Sequence, residues 1–84
     1  MKIELRAFMK FKTYLPSDSI DGKAMISLKD GATVADLLGA LGIPLDEQKL
    51  IIINGISRGV SGTVNAKTLG DGDVVAIFPP AAGG

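Results

Sequence analysis

The chain has 84 residues, with nine basic residues balanced by nine acidic ones and neither cysteine nor histidine. That length suits a single domain, and the charge balance argues against a general nucleic-acid binder, which shows a basic excess. Without Cys or His there can be no disulfide, no thiol nucleophile, no Ser-His-Asp arrangement and no zinc site of the usual ligands, so no metal site is expected.

No apolar run approaches the roughly 20 residues that a membrane span needs. Lys2, Glu4, Arg6 and Lys10 interrupt the N-terminal apolar residues, so no signal-peptide core is expected either. The lack of cysteine fits a cytoplasmic home. Aromatic residues are few, so the core has to be built from Ile, Leu and Val. The composition points to a carrier or binding role and away from an enzyme acting by itself.

Lys2 to Phe11 alternates: Ile3, Leu5, Ala7 and Met9 fall on one face, and Lys2, Glu4, Arg6, Phe8 and Lys10 on the other. Period two reads as a half-buried strand. Phe8 is the exception on the charged face, either locally covered or an exposed anchor for a partner. Lys12 to Gly22 holds Pro16, Ser17, Asp18, Ser19, Asp21 and Gly22 and reads as turn and loop. Lys23 to Lys29 alternates again with Ala24, Ile26 and Leu28 inward, a second strand expected antiparallel to the first.

Thr33 opens a helix: its hydroxyl can cap free backbone N–H groups, and Asp36 stands where a capping-box acid stands. Val34, Leu37, Leu38 and Leu41 make one apolar stripe, which Gly42 and Pro44 terminate. Leu50 to Ile53 is a continuous apolar run, read as a strand covered on much of both faces. Asn54-Gly55 is a tight-turn signal, and Ile56 to Val60 reads as a short edge strand. Ser61 to Lys67 has no period and is expected as a surface loop before Leu69 turns inward.

Asp71-Gly72 is a turn dipeptide, and Asp73 to Phe78 is a β-branched, apolar strand. Pro79-Pro80 ends it, since neither residue has an N–H for a ladder bond. Residues 79–84 then form an arm poor in side chains, which can extend roughly 20 Å at about 3.3 Å per residue. Two readings of the arm compete. One is a frayed terminus. The other is a reactive carboxylate on Gly84, threaded into another protein's active site through a channel that only Gly83 and Gly84, lacking a Cβ, can pass.

One helix between two strand pairs implies an α+β fold, a mixed sheet of four to five strands with the helix packed on one face. Setting the first and last strands side by side and parallel gives a ubiquitin-like β-grasp over residues 1–78, followed by the arm.

With those elements in place, the chain resembles the sulfur-carrier group of ubiquitin-like proteins, which includes the molybdopterin synthase small subunit, the thiamine sulfur carrier and the archaeal small modifiers. The resemblance rests on Asp71 to Gly84 with its Phe-Pro-Pro-x-x-Gly-Gly end, on the Leu5 to Leu15 strand-and-loop, on Thr33 to Leu38, and on Ile53-Asn54-Gly55. It departs at Lys12-Thr13, where the molybdopterin-type first strand runs into an Arg-Glu pair. The resemblance implies that an E1-like enzyme uses ATP to adenylate the Gly84 carboxylate, and that a sulfur donor then leaves a thiocarboxylate. That group would deliver sulfur within the large subunit of molybdopterin synthase. No cofactor is expected to stay bound, and ATP belongs to the activating partner.

The same resemblance implies partner docking through an apolar patch. Phe8 and Phe78 are expected on the sheet face opposite the helix, with Ile56 extending the patch and Pro79 and Pro80 leading the arm away. Two other outcomes use the same terminus. One is an isopeptide bond from Gly84 to a target lysine, and the other is sulfur delivery for thiamine or another metabolite.

Overall fold

A computed structural model describes residues 1–59 and 62–80. Strand β1 (Lys2–Ala7) pairs antiparallel with β2 (Lys23–Ser27) and parallel with β5 (Val74–Phe78). Strand β3 (Leu50–Ile53) pairs antiparallel with β5 and makes a hairpin with β4 (Ile56–Ser57). The order β2-β1-β5-β3-β4 gives a mixed, five-stranded sheet with its last strand in the middle. One main helix, α1 (Val34–Leu41), covers one face, so the β-grasp architecture holds.

Alternation decides what the sheet buries. Ile3, Leu5 and Ala7 of β1, Ile51 and Ile53 of β3, and Val75 and Ile77 of β5 meet Val34, Leu37 and Leu38 of α1 in a single aliphatic core. The helix is held at both ends by local chemistry. The Thr33 side chain accepts from the Asp36 N–H, and the Thr33 N–H donates to the Asp36 carboxylate at 2.9 Å. At the other end Gly42 adopts φ +80°, the Ile43 N–H reaches the Leu38 carbonyl at 2.9 Å and the Gly42 N–H reaches Gly39. These are the two bonds of a Schellman motif, and the buried Ile43 supplies its apolar contact.

Three expectations are corrected. The first strand stops at Ala7, not Phe11. Met9 takes φ +55° and starts a 3₁₀ helix (Met9–Tyr14), which breaks the alternation: Met9 is 73% exposed, and Phe11 is fully buried in its place. The segment after β4 is not a featureless loop, since a 3₁₀ helix (Gly62–Ala66) turns Val64 into the core beneath α1. The edge strand is two residues long, and Val60, which the longer reading included, lies outside the described residues. Asn54 and Gly55 do form the tight turn, both at positive φ as a type I′ hairpin requires.

Candidate functional site

The last strand is clamped at its start. Asp71 accepts from the Lys2 N–H at 2.8 Å, and the Gly72 N–H donates to the Lys2 carbonyl. Asp73 accepts from the Asn54 side-chain amide at 3.0 Å and from the Gly70 N–H at 2.7 Å. The Asn54 carbonyl oxygen in turn accepts from the Val74 N–H. These bonds tie β5 to β1 on one side and to the β3–β4 turn on the other, so the strand's direction is set before its final residue.

The helix-free face follows from register. Val74, Ala76 and Phe78 of β5 stand level with Glu4, Arg6 and, across the other side, Ile52 and Leu50. Phe8 and Phe78 lie on this face as a parallel stack, with ring centroids 4.1 Å apart and planes 2° from coplanar. The Phe8 N–H donates to the Ile77 carbonyl, which fixes the ring beside the strand end. Both rings are half-buried, as are Leu50, Ile52, Val74 and Ala76, so the apolar patch is continuous and reachable. Glu4 and Arg6 pair with each other at its border.

Pro79 and Pro80 follow directly, half-buried and outside any regular element. Ile56 does not extend the patch. It stands opposite Ile53, which faces α1, so the register puts Ile56 on the helix side of the sheet at its far edge, 57% exposed. Gly83 and Gly84, the residues expected to react, lie outside the described residues.

Beside the strand end is a polar brace. Glu47 accepts from the Lys10 ammonium at 3.0 Å and from the Tyr14 hydroxyl at 3.1 Å, joining the loop before β3 to the first 3₁₀ helix. Lys49, only 5% exposed, donates to the carbonyls of Pro44, Leu45 and Glu47 and holds that loop closed. The Lys10 hydrogen bond holds the Glu47 carboxyl below its ordinary range, and the Glu47 hydrogen bond pushes the Tyr14 hydroxyl up. Burial lowers the Lys49 ammonium against the pull of Glu47 and Asp46. Nothing here makes a nucleophile or a general base aimed into a cleft, and no group of metal-binding side chains occurs among the described residues. The site is a half-buried apolar face at the end of the central strand, followed in the chain by Pro79 and Pro80.

The clamp predicts an acid response. Hydrogen bonds from Asn54 and Gly70 hold the Asp73 carboxyl low, and those from Thr33 hold Asp36 low. A carboxylate depressed in the fold contributes stability above its unfolded pKa, about 3.9, and loses it as pH falls through the folded value. Thermal melts should therefore be level near neutrality and decline below about pH 4. Asp73→Asn should lower the neutral plateau and flatten the acid decline. An unchanged acid decline in that variant would remove Asp73 from the clamp.

Sequence reasoning missed Leu50 and Ile52 as patch residues, because four apolar residues in a row hide which two face outward. It also missed the Glu47 brace, whose partners are separated by more than thirty positions.

A family model described as Mut7-C ubiquitin matches residues 1–83. No curated protein matches by sequence. Among solved structures, the HVO 2177 protein of Haloferax volcanii is 28% identical with a TM-score of 0.72, over 100% of this chain and 87% of that one. A Pyrococcus furiosus protein provisionally assigned as molybdopterin converting factor, subunit 1, is 27% identical with a TM-score of 0.67, over 95% of this chain and 98% of that one. Small archaeal modifier protein 1 of Haloferax volcanii shares the fold at 20% identity, with a TM-score of 0.68 over 95% and 98% of the two chains. Among the described residues, no helix is long and apolar enough to cross a membrane.

Proposed function

The chain belongs to the Mut7-C ubiquitin family, and from that premise we propose that it is a sulfur carrier, the small subunit of a molybdopterin synthase, acting through Gly84. The observation that carries the proposal is the Phe8–Phe78 stack at the end of the central strand, with Pro79-Pro80 leaving directly from it. A partner that covers this patch lies where Pro79 and Pro80 follow the strand. The similarity to the Pyrococcus furiosus protein supports the molybdopterin assignment.

In the proposed chemistry an E1-like enzyme joins the Gly84 carboxylate to the α-phosphate of ATP, releasing pyrophosphate. A carboxylate is a poor electrophile until one oxygen becomes part of a leaving group. Sulfide-level sulfur from a donor attacks the acyl-adenylate carbonyl as hydrosulfide, AMP departs with the electron pair of the C–O bond, the proton goes to solvent, and a thiocarboxylate remains. No acid or base aimed into a cleft occurs among the described residues, and in this reading the acid, base and phosphate-binding groups belong to the E1-like enzyme and then to the synthase large subunit, in the cytoplasm. Gly83 keeps the approach to Gly84 free of side chains, and no cofactor stays bound.

A modifier function is the second reading, favoured by the shared fold with small archaeal modifier protein 1. It ends in an isopeptide bond between Gly84 and a target lysine. Intact mass of protein from its native host, with thiocarboxylate trapping and a search for Gly-Gly remnants on lysines, separates the two. A terminus carrying neither sulfur nor a lysine conjugate, in cells making both activating enzyme and acceptor, would sink both.

The patch has its own test. Phe8→Ala and Phe78→Ala should each weaken binding to the E1-like enzyme or the large subunit by about 1 to 3 kcal/mol. Thermal stability should fall by less than the roughly 3 to 5 kcal/mol of a buried Phe, since both rings are only half-buried. Titrations and melts on the same samples decide it. A large stability loss with unchanged affinity per folded molecule would place the docking surface elsewhere.

A further inference from the structure

Strand β2 is an edge of the sheet, and its hydrogen bonds can be assigned residue by residue. Met1 and Leu28 exchange two bonds, each of 2.8 Å, and the Ala7 N–H donates to the Gly22 carbonyl. In an antiparallel ladder, bonded pairs recur every second residue, so Ile3–Ile26 and Leu5–Ala24 turn their groups toward each other. The N–H and C=O of Met25 and Ser27 therefore point away from the sheet. Lys23 is different: its N–H and C=O are both taken by Ile20, in a turn with Asp21 and Gly22 at positive φ. No described residue answers Met25 or Ser27.

Directly beside this edge is a groove of about 460 Å³, lined by Glu4, Asp18, Asp21, Lys23, Ile20 and Met25. Ile20 is 73% exposed and Met25 60%, unusual exposure for two large apolar side chains on one rim. Met25 stands level with Glu4 on the helix-free face, so the Glu4–Arg6 pair separates this groove from the Phe8–Phe78 patch.

We propose that the β2 edge and its groove bind an extended segment of another protein as an added strand, with aliphatic side chains on Ile20 and Met25 and basic side chains toward Asp18 and Asp21. Two outward N–H and two outward C=O groups, spaced as strand residues, accept only extended backbone. With Glu4 paired to Arg6, the carboxylates of Asp18 and Asp21 against the one ammonium of Lys23 select a basic segment over an acidic one. A second copy paired antiparallel with Met25 opposite Ser27 would also set Lys23 opposite Lys29, and like charges directly opposite destabilise a ladder. A copy paired with Met25 opposite Met25 has no such clash, so sedimentation accompanies the test: a dimer that the lysine peptide does not displace would overturn the proposal.

The test uses the full chain and a capped peptide alternating lysine and valine over six residues. Three relatives serve as controls: one N-methylated at the amides that would face β2, one with glutamate for lysine, and one with serine for lysine. Amide shifts are expected at Ile20 and from Ala24 to Leu28. N-methylation should weaken binding by at least about tenfold, the loss of two hydrogen bonds, and glutamate should abolish it. Asp18→Asn combined with Asp21→Asn should weaken the lysine peptide and leave the serine peptide unchanged. Met25→Pro removes one edge donor and should act like N-methylation. The peptide controls decide the matter even if that variant fails to fold. Equal binding of the N-methylated peptide, or shifts centred on Leu50, Ile52 and Phe78, would overturn the proposal.

Discussion

Deleting Gly84 is expected to abolish ATP–pyrophosphate exchange with the cognate E1-like enzyme and to leave the thermal midpoint unchanged. The adenylated atom is a carboxylate oxygen of that residue in the proposed chemistry, so a chain ending one residue earlier presents its carboxylate about 3.3 Å to 3.6 Å short of the reacting position. Misplacement of that size costs far more than a weakened contact, because the in-line approach to the ATP phosphate is lost. The fold does not depend on the residue: every core side chain among the described residues lies between Ile3 and Ile77. Exchange at the full rate by the deleted protein would end the carrier and modifier readings together.

The largest stability effect is expected at Phe11. It is fully buried and belongs to the central core, yet it comes from a 3₁₀ helix and not from the sheet. Phe11→Ala removes the largest buried side chain and leaves a cavity that the surrounding strands cannot close, a loss of about 3 to 5 kcal/mol. Small domains have total stabilities near the low end of roughly 5 to 15 kcal/mol, so the variant should be close to half unfolded under mild denaturant. Phe11→Leu, which refills most of the volume, should recover a large part of the loss. Urea unfolding of the three proteins measures it. A Phe11→Ala loss no greater than that of Phe8→Ala would contradict the burial on which the distinction between core and patch depends.

These two residues show what could be read from the chain. Strand alternation over Lys2 to Ala7 is local, and so is the pairing of Thr33 with Asp36 and the stop at Gly42; the helix formed where its residues put it, and the strand started there but ended at Ala7 and not at Phe11. The position of Phe8 and Phe78 on the helix-free face also followed from alternation. Their stacking confirms two strands side by side. Met9 was misread as inward because alternation was carried through it towards Phe11, and no neighbouring residue announces its left-handed φ. Asn and Asp take such a φ readily in turns, as Asp21 and Asn54 do, but in Met it is uncommon, and here it accompanies the descent of Phe11 into the core. Ile56 was misplaced for a related reason: the turn at Asn54-Gly55 fixes which face it takes, and that depends on which of Leu50 to Ile53 is buried. Val64 gave no periodic signal at all, since one turn of 3₁₀ helix buries a single side chain.

The clamped last strand has a consequence for how the molecule comes into being. Strand β5 lies between β1 and β3, yet it follows both in the chain, and its ladder joins Glu4 to Val74. Until it is made, β1 and β2 have only each other, and the β3–β4 hairpin has no strand to join. The sheet therefore cannot close until residues 74–78 have been made, and folding waits on the pairing most distant in sequence. A chain interrupted before Phe78 cannot assemble its sheet, so the stacked rings, which the proposed function uses as a docking face, exist only on a finished fold.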